Sequence, residues 1–235
     1  MPGYIIHLAE AERIIEKISG NFSVTDDWRN KFLTGCLLPD TKPYGKDKRE
    51  THFWNEEVIP NLARKPDTKI FLEKYKDKLE NPIVSGYYAH LLLDVHFIDI
   101  YWKNEFYFMD ENRQEEKLYD KVKYVRINET GEVVPVEKFL SLEYYYGDYS
   151  AMNEYYIQKY NIKIPVNIYY DNPIKEADIT QMDGIYYNLK KYCLGGKVDD
   201  IKKLRVFNIE KLSNLIDKSA NEFCGMFENN FTYLK

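Results

Sequence analysis

All four histidines of this 235-residue chain, His7, His52, His90 and His96, fall in its first hundred residues. Imidazole both ligates metals and exchanges protons near neutral pH, so this skew shows where chemistry should be sought. His90 and Asp94 stand four positions apart in the apolar run from Pro82 to Trp102. Helical spacing stacks two such side chains on one face, about one turn apart and close enough to share a cation. Asp94 follows Leu91, Leu92 and Leu93, and no Lys or Arg occurs before Lys103 in this run. A carboxylate in such surroundings is costly unless it is paired, hydrogen-bonded or bound to a cation, so its partner must come from elsewhere in the chain. Two accounts remain open on these residues alone: a metal ion held by His90 and Asp94, or a hydrogen-bonded pair in an ordinary helical core. His96 lies two residues past Asp94, roughly 200° around a helix, and points away from the pair. A structural role with nearby Asp99 is expected for it.

The elements that must position these groups are mainly helices. Ile5, Leu8, Ala11, Ile14, Ile15 and Ile18 repeat at helical spacing over residues 4 to 18, and Gly20 closes the pattern. Thr25 or Asp26 caps a second helix through Trp28, Phe32 and Cys36, which Pro39 stops, leaving Asp40 just beyond its end. Residues 41 to 51 carry Pro, Gly and dense charge and read as an exposed loop. A helix starts at Pro66 or Asp67 and runs to Leu79, and the most apolar helix follows from Pro82 to about Trp102. Turn residues between two short apolar runs predict a β-hairpin near 123 to 136. Helices are then expected at about 148 to 160, 180 to 193 and 208 to 229, in one mainly all-α domain spanning residues 1 to 235.

Four features in order now carry a resemblance: Met1-Pro2 with His7 in the first helix, Leu37-Leu38-Pro39-Asp40, Thr51-His52-Phe53, and Gly86-Tyr87-Tyr88-Ala89-His90 through Asp94. Together they resemble the zinc-dependent phospholipase C family, which shares its fold with the P1-type nucleases. The likeness covers about residues 1 to 103 and fades in the tyrosine-rich second half. It implies that Asp40, His52, His90 and Asp94 bind one zinc ion, and that Asp94 bridges to a second held by His7. It also implies that Asp40 holds or activates the attacking water. Imidazole and carboxylate suit zinc, which activates water and stabilises charge on phosphoryl oxygens. The family completes a site with a processed N-terminal residue and builds a third from later histidines and a His-x-x-x-Glu pair. Here no histidine follows His96, so one or two ions are expected, with Asp148 and Glu154 as candidate substitutes.

The implied activity is hydrolysis of a small phosphoester or phospholipid headgroup. A P1-like nuclease or nucleotide phosphatase is the alternative within the enzyme class, and a non-catalytic, metal-stabilised binding protein lies outside it. Tyr44, Lys46, Lys48 and Arg49, next to Phe53 and Trp54, would meet a substrate phosphate and headgroup on the functional account, or form a solvated charged loop on the plainer one. A net charge of -5 with scattered basic residues argues against a duplex nucleic-acid partner. Cys36, Cys193 and Cys224 are far apart and read as reduced, buried, small hydrophobes. No basic-flanked leader and no run of eighteen apolar residues is evident, so a cytoplasmic location and no transmembrane segment are expected.

Overall fold

The computed structural model describes residues 2–20, 22–41, 48–166, 168 and 170–230. Helix α1 (Tyr4–Ile18) spans the range its apolar spacing predicts and buries Ile5, Leu8, Ile14 and Ile15. The Thr25 side chain accepts from the Trp28 N–H at 3.2 Å and so starts α2 (Asp26–Leu37), whose first turn carries Asp26 and Asp27. Pro39 has no N–H to extend the ladder, and the chain tightens into a single 3₁₀ turn, Leu38–Asp40. Asp67 caps α3 (Thr68–Tyr75), and Asn81 with Pro82 in the first turn begins α4 (Pro82–His96).

Helix α4 is buried all round, with only Pro82 and Val95 partly accessible, and is apolar apart from its tyrosines and Ser85, His90, Asp94 and His96. It packs most extensively on α2 and also meets α1 and α3. Two glycines make the α2–α4 crossing close. A methyl group on Gly35 would press into the Ile83 carbonyl, and one on Gly86 would press into that of Phe32. The apolar run continues to Trp102 as expected, but Phe97–Trp102 widens into a π-helical turn before α5 (Lys103–Glu105).

The expected hairpin is present as β2 (Tyr124–Ile127) and β3 (Val133–Pro135), joined by a turn with Gly131 at φ +73°. A further strand, β1 (Phe106–Met109), pairs antiparallel with β2 and makes a three-stranded sheet in the order β1-β2-β3. Its alternation is too short to register beside the charged stretch that follows it. After α6 (Val136–Phe139), α7 (Tyr145–Lys159) and α8 (Met182–Asn188), the chain closes with α9 (Ile209–Asn230), which lies against both α1 and α4. The stretch expected as one helix over 180 to 193 divides into a 3₁₀ turn, α8 and a π-helical turn, Leu189–Cys193.

The second half supplies an aromatic cluster beneath the sheet, in which Phe106 meets Phe139, Tyr145 and Phe207. Buried apolar side chains from Ile5 to Phe223 form one contiguous cluster. All three cysteines are free thiols; Cys36 is buried as expected, whereas Cys193 and Cys224 are only half-buried. Among the described residues no helix is long and apolar enough to cross a membrane.

Candidate metal centre

Helices α1, α2 and α4 bring His7, Asp40, His90 and Asp94 to one point, and the turn at Thr51–Phe53 delivers His52 to it. Four of the five are almost sealed from solvent, with His52 and Asp94 at 0% and His7 and His90 at 1%, while Asp40 keeps 8%. His52 Nε2 and His90 Nε2 are 3.4 Å apart, His52 Nε2 lies 3.4 Å from Asp94 Oδ2, and His90 Nε2 lies 3.6 Å from that same oxygen. These separations are long for N–H···O bonds. They match the edge of a tetrahedron with metal–ligand bonds of ~2.0–2.1 Å, which is roughly 3.3 Å. His52, His90 and Asp94 therefore have the spacing of one triangular face of a tetrahedral site and could hold an ion there. His7 Nε2 stands 3.6 Å from the other Asp94 oxygen, Oδ1, and His52 Nε2 stands 3.8 Å from Asp40 Oδ1.

The tautomers follow from the outer partners. His90 Nδ1 is 2.8 Å from the Cys36 carbonyl, which only accepts, so Nδ1 donates and Nε2 keeps its lone pair. Thr51 Oγ1 donates to the Lys48 carbonyl at 3.2 Å, so it accepts from His52 Nδ1 at 3.0 Å, and His52 Nε2 is likewise unprotonated. Two imidazole lone pairs thus face each other beside a carboxylate. Such an arrangement is repulsive unless a metal cation, or a proton on Asp94, lies among them. The Tyr87 hydroxyl donates to the Thr51 carbonyl at 2.5 Å and ties this turn to α4. Phe53, at φ +52°, takes the left-handed conformation that bulky residues avoid. Its ring lies edge-on to Phe71 and Tyr87, which holds the turn in the form that aims His52 inward.

Other polar atoms also lack partners. Neither His7 nitrogen and neither Asp94 oxygen makes a hydrogen bond, and the His7 ring stacks on His90 at 3.7 Å. Buried polar groups normally find partners, and the orphaned atoms on both residues lie in the cluster that could hold an ion. Burial pushes the Asp94 carboxyl up to about 8 and lowers His90 to about 4. It also holds His7 and His52 far below the usual imidazole range, so all three rings are neutral and ready to ligate. Burial alone would raise Asp40, but the Lys48 ammonium paired to it, with help from the nearby imidazoles, holds it well below the ordinary carboxylate range. Lys48 itself is raised, Asp40 outweighing the burial that opposes its charge.

The remaining sequence candidates lie elsewhere. His96 points away from the centre as expected, but its partner is Glu222 of α9 at 3.0 Å, because Asp99 turns outward to Lys65 at 2.8 Å. Asp148 does not reach the centre. It accepts the backbone N–H groups of Arg205, Val206 and Phe207 at 3.0, 2.8 and 3.1 Å, anchoring the strap before α9. Glu154 takes a hydrogen bond from Gln158. Tyr44 and Lys46 lie outside the described residues. Trp54 lies 5.7 Å from the His52 ring, with Arg64 over its face.

Two neighbours escape a sequence reading. Glu10, three residues after His7 on the same face of α1, is fully buried with neither oxygen hydrogen-bonded, and burial raises it well above the carboxylate range. Its i,i+3 spacing from His7 is the signal that could have found it. Tyr4, half-buried, is raised first by its burial and next by the charge of Asp40, which marks it as a neighbour of the centre. No protein-family model matches the chain, and no curated protein or solved structure matches it either.

Proposed function

We propose that the chain is a zinc-dependent phosphoester hydrolase of the phospholipase C type, acting on a small phosphodiester or a phospholipid headgroup. The observation that carries this reading is the triangle of His52, His90 and Asp94, with two lone pairs directed at each other at 3.4 Å. Neutral imidazole with carboxylate is a donor set suited to zinc. When bound, a divalent ion in such a site supplies Lewis acidity to a phosphoryl oxygen and activation of water.

The chain's own residues divide the remaining work. His52, His90 and Asp94 offer three donors and leave one position of a tetrahedron uncovered, as catalytic rather than structural sites do. Asp40 is the most accessible of the five, so substrate arrives from its side. Held ionised by Lys48, Asp40 accepts a hydrogen bond from an incoming water and orients it, but is a weak base. Lys48, paired to Asp40 and partly open to solvent, gives that approach a positive charge, which suits an anionic phosphoester.

A second reading, a metal-stabilised protein without turnover, is favoured by the near-total burial of the other four residues. The test is hydrolysis of bis-(p-nitrophenyl) phosphate by zinc-loaded protein, followed by a panel of phosphocholine esters, other headgroup esters, single-stranded oligonucleotides and nucleotides. Metal-dependent turnover with a preference for diesters supports the hydrolase. Metal-replete protein that cleaves none of them supports the non-catalytic reading.

A further inference from the structure

Among the described residues, two groups could hold an ion: His52, His90 and Asp94, and His7, Asp40 and His90. Both draw on His90, whose Nδ1 is committed to the Cys36 carbonyl, so only one lone pair serves both. Once His90 Nε2 belongs to the ion of the tetrahedral face, a second ion is left with His7 Nε2, Asp94 Oδ1 and Asp40. His7 Nε2 and Asp94 Oδ1 are 3.6 Å apart and suit it. Asp40 Oδ1 is already in a close ion pair with the Lys48 ammonium.

We infer that Lys48 takes the place of a second metal ion: its ammonium neutralises Asp40, and the chain holds one divalent ion, on His52, His90 and Asp94. This rests on the metal-centre reading above. Charge supports it. With both aspartates ionised, the two carboxylates and Lys48 leave one negative charge, which one divalent ion turns into a single positive charge. A second ion would raise that to three positive charges inside a site whose ligands are almost wholly buried, where unbalanced charge is strongly penalised. An ammonium provides the fixed positive charge of a cation without requiring further ligands, and no later histidine supplies any. The Lys48 side chain is 25% exposed, so it reaches the centre from the solvent side, where an anionic ligand of the ion would meet it.

The experiment is titration of the metal-free full chain with Co²⁺ or Zn²⁺, followed by calorimetry and by the visible spectrum of the cobalt form. Wild type should take up about one equivalent. Lys48→Met, similar in length but uncharged, should take up a second equivalent on His7, Asp94 and the freed Asp40. Lys48→Arg should stay at one. Because Lys48→Met leaves a buried carboxylate unpaired and could fold poorly, the double variant Lys48→Met/Asp40→Asn removes both charges and should return to one equivalent. Wild type binding two ions with Lys48 in place overturns the inference but leaves the metal centre standing, as does Lys48→Met or Lys48→Arg behaving against expectation. Wild type binding none overturns both. None of these readings depends on turnover.

Discussion

Replacing Gly86 by alanine tests how the α2–α4 crossing builds the centre. The new methyl would stand 3.0 Å from the Cys36 nitrogen and 3.1 Å from the Phe32 carbonyl carbon, and nearer still to the Phe32 oxygen. Comfortable contact begins at about 3.5 Å, so clearing the Phe32 oxygen requires the two backbones to separate by roughly 1.3 Å, because no flexible side chain can yield instead. Overpacking of this kind costs roughly 1–3 kcal/mol, the rigid backbone placing it near the upper end. For a chain of this length that is a fall in Tm of roughly 4–12 °C. The same separation stretches the 2.8 Å bond from His90 Nδ1 to the Cys36 carbonyl beyond useful range and frees the imidazole to rotate or change tautomer. Loss of such an outer partner lowers metal affinity about 10–100-fold. Gly184→Ala is the control, since a methyl there meets nothing within 4 Å and helix propensity favours alanine. Thermal unfolding and zinc titration of both variants give the answer. A Gly86→Ala protein with wild-type Tm and affinity would refute the claim that this close approach positions His90.

Other expectations follow from the same geometry. Asp94→Asn and His52→Ala should each lower metal content, whereas His96→Ala, which breaks only a pair with Glu222 at the α9 surface, should leave it unchanged; elemental analysis decides. Chelation should lower Tm, by roughly 2.7 kcal/mol of stability if metal had been present at a hundred times its Kd, and an unmoved melting curve after confirmed metal removal counts against a folding-coupled site. In the metal-free protein, Asp94 titrates at about 8, against ~3.9 in an unfolded chain. Between those values the native state holds a proton that the unfolded state has lost, so stability should fall as pH rises from 4 to 8, by at most ~1.4 kcal/mol per unit from this group. Metal should flatten that slope, and denaturant titrations at several pH values with and without zinc show whether it does. Metal binding at pH 7 should also release a proton, detectable as a buffer-dependent binding enthalpy.

How far the sequence was legible differs between the helices and the centre. The first helix and the last are visible because their apolar spacing is regular, although solvent covers a face of the last alone and only Glu16 of the first is exposed. The all-apolar run from Pro82 announces burial but hides where it leaves regular α-geometry, because a π-helical turn at Phe97–Trp102 keeps the same composition. His90 with Asp94 stands out because helical spacing and the missing local cation act within one element. The convergence of His7, Asp40 and His52 depends on how three separate segments meet, which spacing along the chain does not encode; for these the family resemblance supplied the expectation. Lys48 shows the converse: it stands among charged residues in sequence, and only its approach to Asp40 turns a loop lysine into a half-buried counter-ion. Asp148 sits at the start of a helix in both accounts, but the strap it anchors lies nearly sixty residues away.

The burial of the ligands also governs time. With His7, His52, His90 and Asp94 at 1% exposure or less, a chelator could meet an ion held there only at the position left open on the Asp40 side, and could not displace the buried donors while the native packing holds. An ion held there would leave through the Asp40 side, past Lys48 and the turn that Phe53 keeps in its left-handed form. Departure is then limited by local opening of that turn, an event set by the chain rather than by the reagent. Metal loss should accordingly reach a rate that more chelator does not raise, and a protein loaded once would keep its ion through transient scarcity long after equilibrium would have emptied it.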